Sequence, residues 1–525
     1  MRSDSQVLYR PDIVNDLVHR IHELLARNSG RGLLVKGPPG VGKSYSLINL
    51  TRYLLASEKY WVTILPDCEG WMDEESFFRF LLESVGVDPD PFRRKYQPSG
   101  REDFRKLVAD IDTVLATHGK KWVFIFDQIN RIFARPSLQQ AKDVGVLPFP
   151  FVMMKHILQE GRITSILSAT ADNDISYKNK HPAFDEFHHP TQWNREEMEI
   201  LYSSEKVAQW DWDELVYSTG CVPGYLARWD QGDTRYLREV ALEIQDWLDT
   251  LHSQQSPRMW NRTVDSALSC LLPWFRPVDQ LWQPRHWDCK YLVLQENSEK
   301  RTLLPLFPFV TAVYRQYFSK EISDYLTEKE KDLVYMFHQP TTPLNVRGHI
   351  LEELVRNRLL KSGLTPSDLR QILRDANLGQ QQQQQHEDMT VTAAKGGLEW
   401  IKLYGRNFPP MVQGENRMAF FVPMSPNFPA VDLILRVGKF VIAFQIHVAE
   451  DHPDESTKLI KYAKAAGWKK EEVEKIILIY LSPKRETTRQ LEMKISRPPS
   501  EDDWVTSRFY TIVRIDCLRN LFAYW

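Results

Sequence analysis

Eight residues, Gly37-Pro38-Pro39-Gly40-Val41-Gly42-Lys43-Ser44, constrain the fold of this chain more than any other stretch. Their spacing, G-x-x-x-x-G-K-[ST], is that of a loop whose backbone N–H groups cradle phosphates at the start of a helix. The glycines let the main chain wrap a β-phosphate. Lys43 reaches the β and γ oxygens, and the Ser44 hydroxyl is placed to hold Mg²⁺. Such a loop needs a buried strand before it and a helix behind it. Leu33-Leu34-Val35 reads as that strand, and Tyr45 to Leu55 reads as an apolar-striped helix. The expectation is a site for a nucleoside triphosphate, ATP with Mg²⁺, in an α/β domain. The alternative is an ordinary Gly/Pro turn.

The flanking sequence extends this reading. Ile13, Leu17, Ile21, Leu24 and Leu25 recur at helical spacing within Pro11 to Arg27. Tyr60 to Leu65 reads as a second strand, followed by helical stretches Glu74 to Val85 and Arg101 to His118. Trp122 to Asp127 is an apolar strand ending in a carboxylate, which suits delivery of Asp127 to the Mg²⁺ shell. A further strand, Ile163 to Ala169, has a polar end. Ser168 or Thr170 there is either a γ-phosphate sensor or part of a plain core strand.

This pattern resembles the additional-strand class of P-loop ATPases, which includes the AAA+ and STAND proteins. Thr219-Gly220-Cys221-Val222-Pro223-Gly224-Tyr225-Leu226 resembles the glycine–proline motif in the helical lid of STAND-like ATPases. The resemblance implies that the helix start at Pro223 approaches the nucleotide. Such ATPases usually place Glu directly after the metal-coordinating Asp, and here that position is Gln128. An amide cannot take a proton at neutral pH, although it can orient water. Slow turnover follows, with bound ATP acting as a conformational switch. Arg195 and Arg228 are the candidates for an arginine finger.

At 525 residues the chain has room for about three domains with a core in each. A formal net charge of −2 excludes a global polycation, so any nucleic-acid binding must rest on a local patch. Five scattered cysteines without CxxC spacing support neither a disulfide framework nor a zinc site. The sequence shows no signal-like apolar segment near Met1 and no membrane-spanning run, so the expected setting is cytoplasmic or nuclear. The expected domains are a P-loop core at 1–194, a helical lid at 195–254, a connector at 255–335 and an α/β restriction-endonuclease-like domain at 336–525. The connector is either a winged helix or a plain helical segment with a hairpin, Tyr291 to Gln295 and Thr302 to Leu306, before a helix from Pro308 to Phe318. A glutamine-rich insert at about 379–390 cannot bury enough apolar surface to pack.

The last of these domains rests on Val431 to Val448. Two β-rich runs flank Gly438-Lys439, which favours a two-residue hairpin turn. In that register Val437 faces Phe440, and Asp432 falls opposite Gln445. Period two puts His447 on the same face. This layout resembles that of PD-(D/E)xK nucleases, with Asp on one strand and carboxylate-x-Lys on the next. The resemblance implies Mg²⁺ or Mn²⁺ held by Asp432 and Gln445, with a further carboxylate from a preceding helix. Glu352, in Gly348 to Leu360 with Leu351, Leu354 and Val355 inward, is the candidate; a solvated helix carboxylate is the alternative. Gln445 offers only a neutral carbonyl, and His447 stands where lysine is usual and is suited to position or deprotonate water. Lys458, Lys461 and Lys464 recur at helical spacing, either toward a phosphate backbone or as a solvated face.

A P-loop ATPase with Asp127-Gln128, followed by this hairpin, Gln445-Ile446-His447-Val448 and His452-Pro453, resembles the NTPase–nuclease form of the Crinkler effectors over most of the chain. The resemblance implies a DNA-acting protein whose nuclease domain is controlled by ATP, in its own cell or in a host. The ubiquitin-like N-terminal module of many Crinklers is not found in the sequence. A second account fits the same residues: a nucleotide-dependent, homo-oligomerising switch with an inert nuclease fold that recognises DNA. Gln128 and Gln445 both favour it.

Overall fold

In this computed structural model the described residues are 10–27, 32–38, 40–65, 101–127, 164–170, 184–189, 192–202, 204–231, 234–272, 274, 275, 291–296, 301–362, 364, 366–375, 398–403, 418–423, 431–437, 440–448, 456–469, 471, 473, 475–483, 505–511 and 518. Pro39, Gln128, the expected helix Glu74 to Val85 and the glutamine-rich insert lie outside them. The chain divides into two compact units, residues 1–236 with 281–306, and residues 237–280 with 307–525.

The first unit is built on strands β1 (Gly32–Gly37), β2 (Tyr60–Leu65), β3 (Lys121–Phe126), β4 (Thr164–Thr170) and β5 (Phe184–His188). They form one sheet in the order β2-β3-β4-β1-β5, and every pairing is parallel. A parallel sheet is covered on both faces, so a strand inside it is apolar rather than alternating, as β3 is after Lys121. Trp122, Val123, Phe124, Ile125 and Phe126 are accordingly all buried. The Trp122 indole donates to the Thr63 hydroxyl at 3.0 Å, so its polar edge is satisfied inside the sheet.

Helices α1 (Pro11–Arg27) and α2 (Lys43–Ala56) cover one face. Ile13, Leu17, Ile21 and Leu24 from α1 pack with Leu47, Leu50 and Leu54 from α2 against Leu33, Val35, Val123, Ile125 and Ile166. Burying each such side chain contributes about 1.5–3 kcal/mol. Between Arg195 and Gln254 the described residues are mostly helical, as expected; the last helix, Thr234–Gln254, falls almost wholly in the second unit. Asn194 and Glu197 close a reciprocal capping box at helix Arg195–Leu201. Trp193, Met198, Val207, Leu215, Cys221 and Leu226 form a separate small core there. Strands β6 (Leu292–Glu296) and β7 (Arg301–Pro305) make the expected hairpin in this unit. Helices Pro257–Leu271 and Pro308–Tyr317 belong to the second unit.

The second unit carries a sheet of β8 (Leu398–Leu403), β9 (Met418–Pro423), β10 (Leu433–Val437), β11 (Phe440–Ile446), β12 (Lys475–Ser482) and β13 (Val505–Thr511), ordered β13-β12-β11-β10-β9-β8. β10 is antiparallel to both neighbours, and the remaining pairs are parallel. Val441, Ala443, Ile476 and Leu478 pack on Leu459 and Ala463 of helix Ser456–Ala465. Lys458, Lys461 and Lys464 are exposed on that helix. Helix Leu344–Ser362 packs against β11, with Leu351, Leu354 and Val355 buried as the sequence pattern required. The helix begins at Leu344 rather than at Gly348, so Glu352 sits about two turns in. A Cβ at Gly348 would meet nothing within 4 Å, so this glycine is no boundary.

Candidate functional site

The loop between β1 and α2 is shaped by its glycines. Gly40 has φ +81° and Gly42 φ +98°, the left-handed region that side chains rarely adopt. Gly42 caps α2 and its carbonyl accepts from Ser46 N–H at 3.0 Å. This is the strand–loop–helix of a P-loop NTPase fold. The Lys43 ammonium donates to the Gly37 and Pro38 carbonyls at 2.8 and 2.7 Å, and so lies over the loop. Val41 is fully buried beneath it, and Ser44, one residue into the helix, is partly exposed.

β4 lies between β1 and β3, so the loop and the end of β3 share the carboxyl edge of one sheet with a strand between them. Asp127 follows β3 directly. It is buried, and its N–H donates to the Leu65 carbonyl at 2.8 Å. Ser168 on β4 pairs with Val35 in register, and its buried hydroxyl has no partner among the described residues. These side chains fit an ATP–Mg²⁺ group: Lys43 and the loop amides toward phosphate, Ser44 and Asp127 toward the ion.

Gly224, directly after Pro223, meets the loop. Gly224 N–H donates to the Gly40 carbonyl at 2.8 Å. A Cβ on Gly224 would lie 2.7 Å from Gly40 Cα and 3.2 Å from its carbonyl oxygen, so only glycine permits this approach. Local chemistry delivers it. Gly220 and Cys221 are both left-handed, at φ 58° and 57°, and for Cys221 this costs on the order of 1–3 kcal/mol. The Thr219 hydroxyl accepts from Cys221 N–H at 3.1 Å, and Pro223 then starts a helical turn with its φ preset.

His189 is a further residue of this site that periodicity and motif gave no signal for. It follows β5, donates its N–H to the Lys36 carbonyl at 2.8 Å, and is buried. Its Nε2 lies 2.9 Å from the Ser46 hydroxyl of α2, and its ring stands beside Gly42. It thus ties the far side of the loop to the first turn of the helix. Arg195 is exposed and pairs with Glu199 of its own helix at 3.0 Å.

In the second unit the hairpin has the register read from sequence, with Val437 opposite Phe440 and Leu433 opposite Phe444. Asp432 donates its N–H to the Phe444 carbonyl at 2.8 Å, which brings it to Gln445. Asp432 Oδ2 accepts from Gln445 Nε2 at 3.2 Å and from Ile446 N–H at 2.6 Å. Burial, with Glu352 close by, pushes the Asp432 carboxyl up to about 8 against the pull of the Ile446 N–H and Arg356. Glu352, Asp432 and Gln445 are therefore brought together. His447 donates its N–H to Leu481 at 3.0 Å, and its ring stands edge-on to Tyr480 with centroids 6.1 Å apart.

Arginines enter this cluster. Glu352 Oε1 accepts from Arg356 Nη2 at 2.6 Å, and Arg356 Nη1 lies 3.4 Å from Glu353 Oε1. Glu353 also pairs with Arg315. Burial works to raise the Glu353 carboxyl, but Arg315 and Arg356 together hold it below its ordinary value. A divalent metal does not fit this arrangement. Among the described residues no group of three His, Cys, Asp or Glu is disposed to hold one. Glu352 is engaged by a guanidinium, and Gln445 turns its amide nitrogen toward Asp432. Among the described residues, no helix is long and apolar enough to cross a membrane.

No protein-family profile matches the sequence, and no curated protein matches it. Among solved structures the chain is similar to the ORC2 protein of Aeropyrum pernix in its ADPNP-ADP complexes, at 15% identity over 51% of this chain and 75% of that one, TM-score 0.30. It is similar to Cdc6p from Pyrobaculum aerophilum at 12% identity over 61% and 97% of the two chains, TM-score 0.25. PCH-2 of C. elegans follows at 13% identity, and this chain spans 45% of its length and 35% of its own, TM-score 0.22. Likeness at this level does not bear on function; the residues do.

Proposed function

We propose that this chain is an ATP-binding switch of slow turnover, in which the P-loop core at 1–194 and the lid at 195–254 control a restriction-endonuclease-like body at 336–525 that engages DNA. The observation that carries the reading is the hydrogen bond from Gly224 N–H to the Gly40 carbonyl. It fixes the lid helix to the backbone that would wrap the phosphates, so a change in the loop's contents is felt by the lid without an intervening side chain. Lys43 would exchange the Gly37 and Pro38 carbonyls for phosphate oxygens. Ser44 and Asp127 would hold Mg²⁺. Bound ATP would supply the phosphoryl group and its charge. Slow turnover rests on Gln128, whose amide cannot act as a base. The position of β4 between β1 and β3 supports the additional-strand class. For 255–335 the plain connector is the better reading, because the hairpin and its flanking helices fall in different compact units.

The test is size and DNA retention of the full-length protein with and without ATP. Nucleotide-dependent assembly, with uncut DNA retained, is the expected result. A monomer indifferent to ATP in both assays would overturn the proposal.

One observation favours a second reading, an ATP-controlled Mg²⁺- or Mn²⁺-dependent endonuclease of the Crinkler kind. Beyond the effect of burial, Glu352 lies close enough to Asp432 to raise its carboxyl, and a shared cation site needs that proximity of acids. Metal-dependent cleavage abolished by Asp432→Ala would establish it.

A further inference from the structure

We infer that Arg356 supplies, from within the protein, the positive charge that the acidic cluster of the second unit would otherwise take from a divalent metal. The assignment rests on geometry. Glu352, Glu353 and Arg356 lie on one helix at i, i+4 and i, i+3 spacing, so a single guanidinium reaches both carboxylates. A planar fork with several donors suits this task better than a point charge, and it never loses its proton. Arg356 is buried, with 9% of its side chain exposed, and Glu353 with 6%. Arg315 reaches Glu353 from helix Pro308–Tyr317 and also donates to the Leu271 carbonyl at 3.4 Å. Two guanidinium groups therefore face two glutamates. Asp432, the third acid, is met by the Ile446 N–H and the Gln445 amide.

Both glutamates of such a cluster are answered by a guanidinium without a ligand, although the buried Arg315 and Arg356 Nε atoms have no partner among the described residues. A metal entering it would have to displace a buried guanidinium from its carboxylates, and breaking a buried pair is strongly unfavourable. The consequence for this unit is that helix Leu344–Ser362 packs on β11 with no metal between them, and DNA engaged by the unit would be bound without one. This inference stands on the cluster itself and not on the DNA reading.

The test is Mn²⁺ titration of the full-length protein, followed by electron paramagnetic resonance, with Ser44→Ala introduced to weaken the phosphate-loop ion site. No Mn²⁺ uptake below the millimolar range is expected in this parent. In Arg356→Met, Glu352 loses its cation and Glu353 keeps only Arg315. The melting temperature should fall by several degrees and recover with Mn²⁺, with Mn²⁺ affinity rising at least about tenfold. Stoichiometric Mn²⁺ binding by the parent in the micromolar range, lost in Asp432→Asn, would overturn the inference. The parent titration decides the question even if Arg356→Met does not fold. DNA retention by the full-length protein without the Ser44 substitution, measured with ATP and Mg²⁺, is a separate readout: its absence would count against DNA engagement and leave the Mn²⁺ result to stand alone.

Discussion

The phosphate loop and the carboxylate cluster hold their charged groups in different ways. Lys43 hydrogen-bonds to two main-chain carbonyls of its own loop, whereas Glu352 and Glu353 are met by guanidinium groups on their own and a neighbouring helix. A neutral carbonyl is easily exchanged for a phosphate oxygen. A buried guanidinium–carboxylate pair is not, because separating it strands a charge. The first region is therefore shaped for a visitor, through glycines at positive φ and a helix start. The second is closed on itself. Proximity of acids is thus not enough to make a metal site; what matters is which cation already answers them.

The sharpest way to break this contrast lies in the second region. Arg315→Met leaves buried Glu353 with only the more distant Arg356 nitrogen, at 3.4 Å. A loss of about 3–5 kcal/mol is expected, read by denaturant unfolding. A change below about 1 kcal/mol would mean the network is not holding the unit together. The next effect lies in the loop. Lys43→Ala should weaken ATP binding about 100-fold by calorimetry, the order expected for lost bonds to a charged group, while Asp432→Asn leaves it unchanged.

Gly224→Ala places a Cβ 2.7 Å from Gly40 Cα, backbone against backbone. The expected loss is about 1–3 kcal/mol, with weaker ATP binding. Gly348→Ala is its counterpart. With open space around it in mid-helix, a gain of about 0.5–1 kcal/mol is expected. Equal effects at the two glycines would remove the contact between lid and loop from the account.

Asp432 adds a pH signature. Its folded carboxyl titrates at about 8 against 3.8 for the ordinary group, so the folded state binds its proton more tightly than the unfolded state. Its contribution to stability is fully present below about pH 4 and is lost as pH rises toward 8. Asp432→Asn keeps the acceptor oxygen and removes the titration. Relative to the parent it should gain steadily as pH rises from 4 toward 8, with little difference at pH 4. An advantage that does not change with pH would contradict the assigned burial of that carboxyl.

Much of this was legible in the residues. Gly-x4-Gly-Lys-Ser specifies its own strand, turn and helix, and Tyr60 to Leu65 reads as a strand by its β-rich run. The β10–β11 register followed from a short glycine-led connection and period two, and one pairing then fixed Asp432 opposite Gln445. What stayed hidden depends on tertiary contact. His189 gains its role only because β5 ends beside Lys36 and Ser46. Arg356 stands at i+4 from Glu352 in the sequence, yet an exposed helix pair and a buried charge clamp share that spacing. Only packing against the hairpin separates them. Gly348 stands inside the helix, where glycine costs about 1 kcal/mol, a cost easily offset by the buried Ile350, Leu351, Leu354 and Val355 that follow it.

The most direct test incubates labelled DNA with full-length protein and Mn²⁺, with and without ATP, and reads retention and cutting from the same samples. The account predicts DNA that is retained in an ATP-dependent manner and stays intact. DNA cut by the parent and spared by Asp432→Asn, or retention that ignores ATP, would contradict it.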